Sequence, residues 1–121
     1  MALKLHEGHA MHDVPTEVAA RFHRLVNDRR FRSRRTGCIV WKGCTDRKGY
    51  GQVKVDGVAR WTHRVSYVVH VGPLKAGLQI DHLCGNPSCV NPAHLEAVTP
   101  QENRRRQTER ARSNEQAALD S

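Results

Sequence analysis

Asp81-His82-Leu83-Cys84-Gly85-Asn86-Pro87-Ser88-Cys89-Val90-Asn91-Pro92-Ala93-His94-Leu95, continued by Thr99-Pro100-Gln101-Glu102-Asn103, is the stretch that decides the fold. Leu78 to Leu83 reads as a strand, residues 84–93 as a long loop, and His94 to Val98 as the returning strand. Thr99 then caps a helix. Pro100 stands at its first position, where a missing N–H costs nothing, and Glu102 completes a Thr-x-x-Glu capping box. The pattern predicts a helix to about Ala111 and an order of strand, loop, strand, helix over residues 78–111. The segment also gathers an acid, two histidines, two cysteines and an asparagine. Metal-assisted hydrolysis of a phosphodiester uses such a set: oxygen donors for a hard cation, an imidazole to accept a proton, and a rigid frame.

Outward from this segment the chain reads as short elements. Pro15-Thr16-Glu17 opens a helix to about Asn27, with Val18, Phe22, Leu25 and Val26 on one face. Cys38-Ile39-Val40-Trp41 reads as a strand. Tyr50 to Val55 and Val58 to Trp61 read as a pair joined by Asp56-Gly57, a strong hairpin signal. His63 to Val71 reads as a helix stopped by Gly72-Pro73. The expected class is therefore α+β: a small domain with short antiparallel strands and a C-terminal ββα unit. Residues 1–14, with His6, His9 and His12, are expected to be a flexible leader. Residues 15–112 are expected to form the domain, and 113–121 a polar, fraying tail.

Charge points to the partner. The chain of 121 residues carries a formal +8. Seven arginines (Arg21, Arg24, Arg29, Arg30, Arg32, Arg34, Arg35) stand against Asp28 in residues 21–35, and five (Arg104, Arg105, Arg106, Arg110, Arg112) against Glu109 in residues 104–112. Arginine suits bidentate phosphate contact, so the expected partner is nucleic acid. No long apolar run supports a membrane span, and the first residues lack the apolar core of a signal peptide. The expectation is a cytoplasmic protein, in which four cysteines serve as metal ligands or free thiols rather than disulfides. With aromatic residues at only 5%, the core is small, and a metal staple would supply stability it lacks.

The spacing and flanking text resemble the HNH endonucleases, especially small phage-type and homing-type HNH proteins with a ββα-metal (His-Me finger) motif. The resemblance runs from about Arg21 to Arg106. It rests on Arg21-Phe22, Gly37-Cys38, Trp41-x-Gly43, Gly49-Tyr50-Gly51, His63-Arg64-Val65-Ser66-Tyr67, Val71-Gly72-Pro73 and the Asp81 to Asn103 segment. It implies that Asp81 and Asn103, twenty-one residues beyond His82, hold one catalytic Mg²⁺ (or Mn²⁺). It implies that His82 activates the attacking water and that products carry 5′-phosphate and 3′-hydroxyl ends. The middle family residue, which braces the loop, is His94 or Asn91. The short Cys84, Cys89, His94 spacing offers zinc ligands. The family's Gly-Cys-x-x-Trp segment makes Cys38 the fourth, with Cys44 as the alternative. Arg64, Arg104, Arg105, Arg30, Arg32, Arg34 and Arg35 are the expected contacts with double-stranded DNA. Since one active site cuts one strand, double-strand cleavage would require a homodimer or a second event. The competing reading is a non-catalytic zinc-containing DNA-binding module.

Overall fold

The computed structural model describes residues 14–120. The His6, His9 and His12 leader therefore lies outside the described residues. Val14, at its edge, packs against the core and belongs to the folded part.

Helix α1 (Thr16–Asn27) lays Phe22 onto the indole of Trp41, with ring centroids 5.5 Å apart. Strands β1 (Gln52–Val55) and β2 (Val58–Trp61) form an antiparallel hairpin with Val55 opposite Val58. Its two-residue turn needs positive φ at both positions, which Asp56 (52°) and Gly57 (78°) provide. Helix α2 (Thr62–His70) follows at once and buries Val65. Strands β3 (Gln79–His82) and β4 (Leu95–Val98) form a second antiparallel pair, with Gln79 opposite Val98 and His82 opposite Leu95. Helix α3 (Pro100–Asp120) closes the chain. The architecture is α+β, with two separate two-stranded sheets around one core of Phe22, Ile39, Trp41, Val65, Leu74, Ile80, Val90 and Leu95.

Three expectations need correction. Residues 38–41 do not form a strand. Ile39 and Val40 make single bridges, to Arg32 and Cys89 respectively, and Val90 N–H donates to the Ile39 carbonyl at 2.8 Å. This segment crosses between elements and has no partner long enough for a ladder. The second strand starts at Leu95, because a 3₁₀ turn over Pro92–His94 occupies the position before it. Helix α3 does not stop near Ala111 but continues to Asp120. No glycine or proline interrupts residues 101–120. Arg105–Glu109 and Arg106–Glu102 pairs at four-residue spacing support its first turns. At its start Thr99 Oγ1 accepts from Glu102 N–H at 3.2 Å, so the cap forms as expected. The Glu102 carboxylate instead turns along the helix to Arg105 and Arg106.

Candidate functional site

Strand β3 delivers Asp81 and His82 to its C-terminal end, and the first turn of α3 delivers Asn103 beside them. All three line one cleft of about 510 Å³, with Lys48, Tyr50, Gln107 and Arg110 among its other walls. The strand stops at His82, where the carbonyl accepts from Gly85 N–H at 2.9 Å and Gly85 takes φ 76°. Only a residue without a Cβ adopts that turn at no cost.

His82 is 7% exposed. Its ring packs edge-on against His63, with centroids 4.7 Å apart, and obliquely against Tyr50 at 5.8 Å. Its Nε2 has no hydrogen-bond partner among the described residues. Burial pushes its pKa down to about 4; the Asp81 charge opposes this and Arg110 adds to it. The imidazole is therefore neutral near pH 7 and able to accept a proton.

Asn103 donates from Nδ2 to Gln79 Oε1 at 2.9 Å. That bond orients the amide and leaves Oδ1 buried without a partner among the described residues. An orphaned buried carbonyl oxygen is costly unless a ligand completes it. Asp81 is 2% exposed and fully ion-paired: Arg110 approaches both carboxylate oxygens at 2.9 Å, and Arg106 Nη1 approaches Oδ2 at 3.1 Å. Burial alone would raise its pKa, but the Arg110 and Arg106 hydrogen bonds outweigh this and hold it below the usual carboxylate value. Asp81 also sits directly opposite Glu96 on β4, a like-charge pairing that Arg106 relieves by bridging to Glu96 at 2.9 Å. A carboxylate and an unfilled carbonyl oxygen in one cleft are oxygen donors that fit a hard divalent cation, once Asp81 exchanges a guanidinium for it, with a neutral imidazole beside them.

The thiols converge on the other side of the hairpin loop. One ligand atom from each of Cys38, Cys84, Cys89 and His94 lies within 4.8 Å of the others, a Cys₃His cluster that could bind zinc. His94 Nδ1 is 3.7 Å from Cys38 Sγ and 3.5 Å from Cys89 Sγ. Without a cation, burial pushes the Cys89 thiol up to about 12, with the neighbouring thiols adding to the effect. Burial also raises Cys38, but hydrogen bonds with Thr36, Cys84, Cys89 and Asn86 bring its net shift downward. Cys44, the alternative ligand, is exposed and outside the cluster, which corrects that alternative. Asn91 and His94 take different places. Asn91 is buried, donates to the Gly37 carbonyl at 2.7 Å and accepts from Ala93 N–H at 3.0 Å, tying the loop to the Cys38 segment. His94 faces the thiols.

The arginines divide the same way. Arg64 is 1% exposed and donates to the Leu78 carbonyl at 3.2 Å. The expected DNA contact there is corrected, because its charged end is turned into the fold. Arg34, Arg35 and Arg104 are exposed. Arg30 pairs with Asp28 at 2.7 Å, Arg32 donates to the Val26 carbonyl, and Arg105 pairs with Glu102 and Glu109. Sequence reasoning missed the roles of Gln79, Arg106 and Arg110. Helical spacing puts residues 103, 106, 107 and 110 on one face, but it does not pair that face with Asp81.

Among the described residues no helix is long and apolar enough to cross a membrane. A family model described as HNH endonuclease matches residues 60–105, which include Asp81, His82, Cys84, Cys89, His94 and Asn103 and end before Arg106. The chain is 41% identical over 66 residues to Protein 7.7 of Escherichia phage T7, covering 54% of this chain and 51% of that protein. It is 40% identical over 70 residues to Protein 2.8 of the same phage, covering 56% and 47%. It thus spans about half the length of these two relatives. It is 33% identical over 79 residues to the Uncharacterized gene 5.3 protein of Enterobacteria phage T3, covering 57% of this chain and 75% of that protein. No solved structure matches. With the matched segment falling on the β3–β4 hairpin and the start of α3, the chain belongs to the HNH endonuclease family.

Proposed function

We propose that this protein is a metal-dependent endonuclease that hydrolyses phosphodiester bonds of duplex DNA, leaving 5′-phosphate and 3′-hydroxyl ends. The observation that carries this reading is the shared cleft: a neutral His82 whose Nε2 has no partner among the described residues, the orphaned Asn103 Oδ1 and the Asp81 carboxylate, all inside the family match. Asp81 and Asn103 would hold Mg²⁺ or Mn²⁺ through oxygen. The bound cation would supply charge stabilisation to the pentavalent phosphorus and the departing 3′-oxygen. His82 takes a proton from the attacking water at its ring nitrogen, and the packing of His63 and Tyr50 against the ring keeps it oriented. Arg104, exposed one residue past Asn103, would meet a neighbouring phosphate; Arg105 would do so by giving up a glutamate. Zinc in the Cys38, Cys84, Cys89, His94 cluster would fix the hairpin loop that follows His82. A single chain would nick; two chains, or two events, would cut both strands.

The experiment is conversion of supercoiled plasmid by the zinc-loaded protein with Mg²⁺ or Mn²⁺, against an EDTA control, followed by treatment of the product with DNA ligase. Metal-dependent nicks that ligase seals directly support both the activity and the product ends. Salt-sensitive binding of duplex with no cleavage under any cation supports the second reading, a DNA-binding zinc module. The observation favouring that second reading is the arginine saturation of Asp81.

A further inference from the structure

Two guanidiniums hold Asp81, but they are not equivalent. Arg106 bridges three carboxylates: Asp81 at 3.1 Å, Glu96 at 2.9 Å and Glu102 at 2.9 Å. If it left Asp81 it would remain anchored, and its side chain is only 24% exposed. Among the described residues, the ion pair of Arg110 is with Asp81 alone, and its side chain is 37% exposed. It lines both the His82 cleft and an adjoining one walled by Leu83, Cys84 and Glu96. Arg110 is thus the exchangeable member of the pair, on α3 and in the wall of the cleft that holds His82.

The pairing has a consequence for cations. A carboxylate offers roughly four lone-pair sites. Arg110 takes one on each oxygen and Arg106 a further one on Oδ2. A divalent cation would meet a nearly saturated ligand and two positive charges beside it. A DNA phosphate relieves both obstacles by offering Arg110 an alternative bidentate partner.

Resting on the nuclease reading of this cleft, we propose that Arg110 is a substrate-exchanged residue. It holds Asp81 in the DNA-free protein and transfers to a backbone phosphate when duplex binds, so that DNA binding raises the affinity of Asp81 and Asn103 for the catalytic cation. Arg110 lies beyond the family match, which ends at residue 105, so this is a property of the chain's own α3.

The test is Mn²⁺ affinity of the zinc-loaded full chain, by calorimetry and by the spin-resonance signal of free Mn²⁺. The DNA-bound arm is run in the His82→Ala background to prevent cleavage. Arg110→Gln should tighten Mn²⁺ binding without DNA by about tenfold, the worth of a released charge-assisted hydrogen-bond pair. It should also lose most of the gain that duplex confers on the parent. Arg112→Gln removes the same charge from an exposed position of α3 without touching Asp81 and should shift affinity by less than about threefold, as a solvent-screened charge. Arg110→Lys keeps the charge but not the fork; it should fall between the parent and Arg110→Gln, and it carries the test alone if the glutamine variant does not fold. Unchanged or weaker Mn²⁺ binding in the folded Arg110 variants, or undiminished coupling to duplex, overturns the proposal. Asp81→Asn separates the two levels: if it binds Mn²⁺ as the parent does, the metal-site reading itself fails and the proposal with it. If Asp81→Asn loses Mn²⁺ while the Arg110 variants behave as the parent, only the exchange is wrong.

Discussion

At the scale of single residues, the site is built by burying polar groups and leaving selected atoms unfilled. His63 is an example. It is 5% exposed, and burial first, then the His82 and Arg64 charges, hold its pKa well below 6.5. The folded protein keeps His63 and His82 neutral, whereas the unfolded chain binds protons at both below about 6.5. Their contribution to stability is therefore complete above pH 6.5 and is lost as pH falls toward about 4, where His82 itself titrates in the fold. Urea midpoints of the zinc-loaded protein should drop across that window, and His63→Phe, which keeps the ring volume, should flatten the drop; equal slopes in both proteins would contradict this. Gly51 makes a second residue-scale prediction. A Cβ there would collide with Thr62 Oγ1 and lie 2.8 Å from Trp41 Cδ1. Both partners are buried and neither is a flexible tip, so Gly51→Ala should cost about 1–3 kcal/mol in chemical unfolding.

At the scale of elements, the hairpin loop between β3 and β4 gives the core one side chain, Val90, and is otherwise held by polar groups and thiols. Its order comes from Asn91 bonded to Gly37, from the Ser88 hydroxyl donating to the Gly49 carbonyl, and from the Cys₃His cluster. Zinc analysis should find one ion per chain in the parent and in Cys44→Ser, but a large loss in Cys89→Ser with a less cooperative melt. Retained zinc in Cys89→Ser would contradict the ligand set. The elements differ in how far the sequence revealed them. The Asp56-Gly57 turn and the Thr99 cap before Pro100 are local chemistry, and both were legible because their causes lie within a few residues; the reciprocal Glu102 arm of the box does not form, because Arg105 and Arg106 take its carboxylate. The Cys38 to Trp41 segment has strand composition, yet pairing is a tertiary matter and only single bridges form. The grouping of Asp81, His82 and Asn103 was legible from the resemblance to the HNH motif, and Cys38 over Cys44 from the family's Gly-Cys-x-x-Trp segment. The inward turn of Arg64 and the capture of Asp81 by Arg106 and Arg110 were not, because an arginine reads as surface charge until the fold supplies a buried acceptor.

At the scale of the whole molecule, the +8 charge is distributed in two arginine-rich runs rather than one. One begins in the second half of α1 and runs to residue 35, and a cleft of about 440 Å³ there is walled by Arg21, Arg24, Arg30, Lys42 and Phe31, with the Arg21 guanidinium 4.6 Å above the Trp41 ring. The other lies on α3 beside the His82 cleft. Binding to duplex should weaken steeply with salt. Replacing the exposed Arg34 and Arg35 by Gln should lower affinity and reduce the log–log salt slope by about one for each phosphate that is no longer neutralised; an unchanged slope would remove that run from the interface. The central claim is that this basic surface presents DNA to a hydrolytic His82, and it is tested most directly by plasmid cleavage with Mg²⁺ or Mn²⁺ using parent and His82→Ala at matched zinc content and matched DNA affinity. Loss of a general base predicts a rate lower by about 10²–10⁴-fold in the variant with binding intact. Cleavage at the parental rate by His82→Ala would contradict the account.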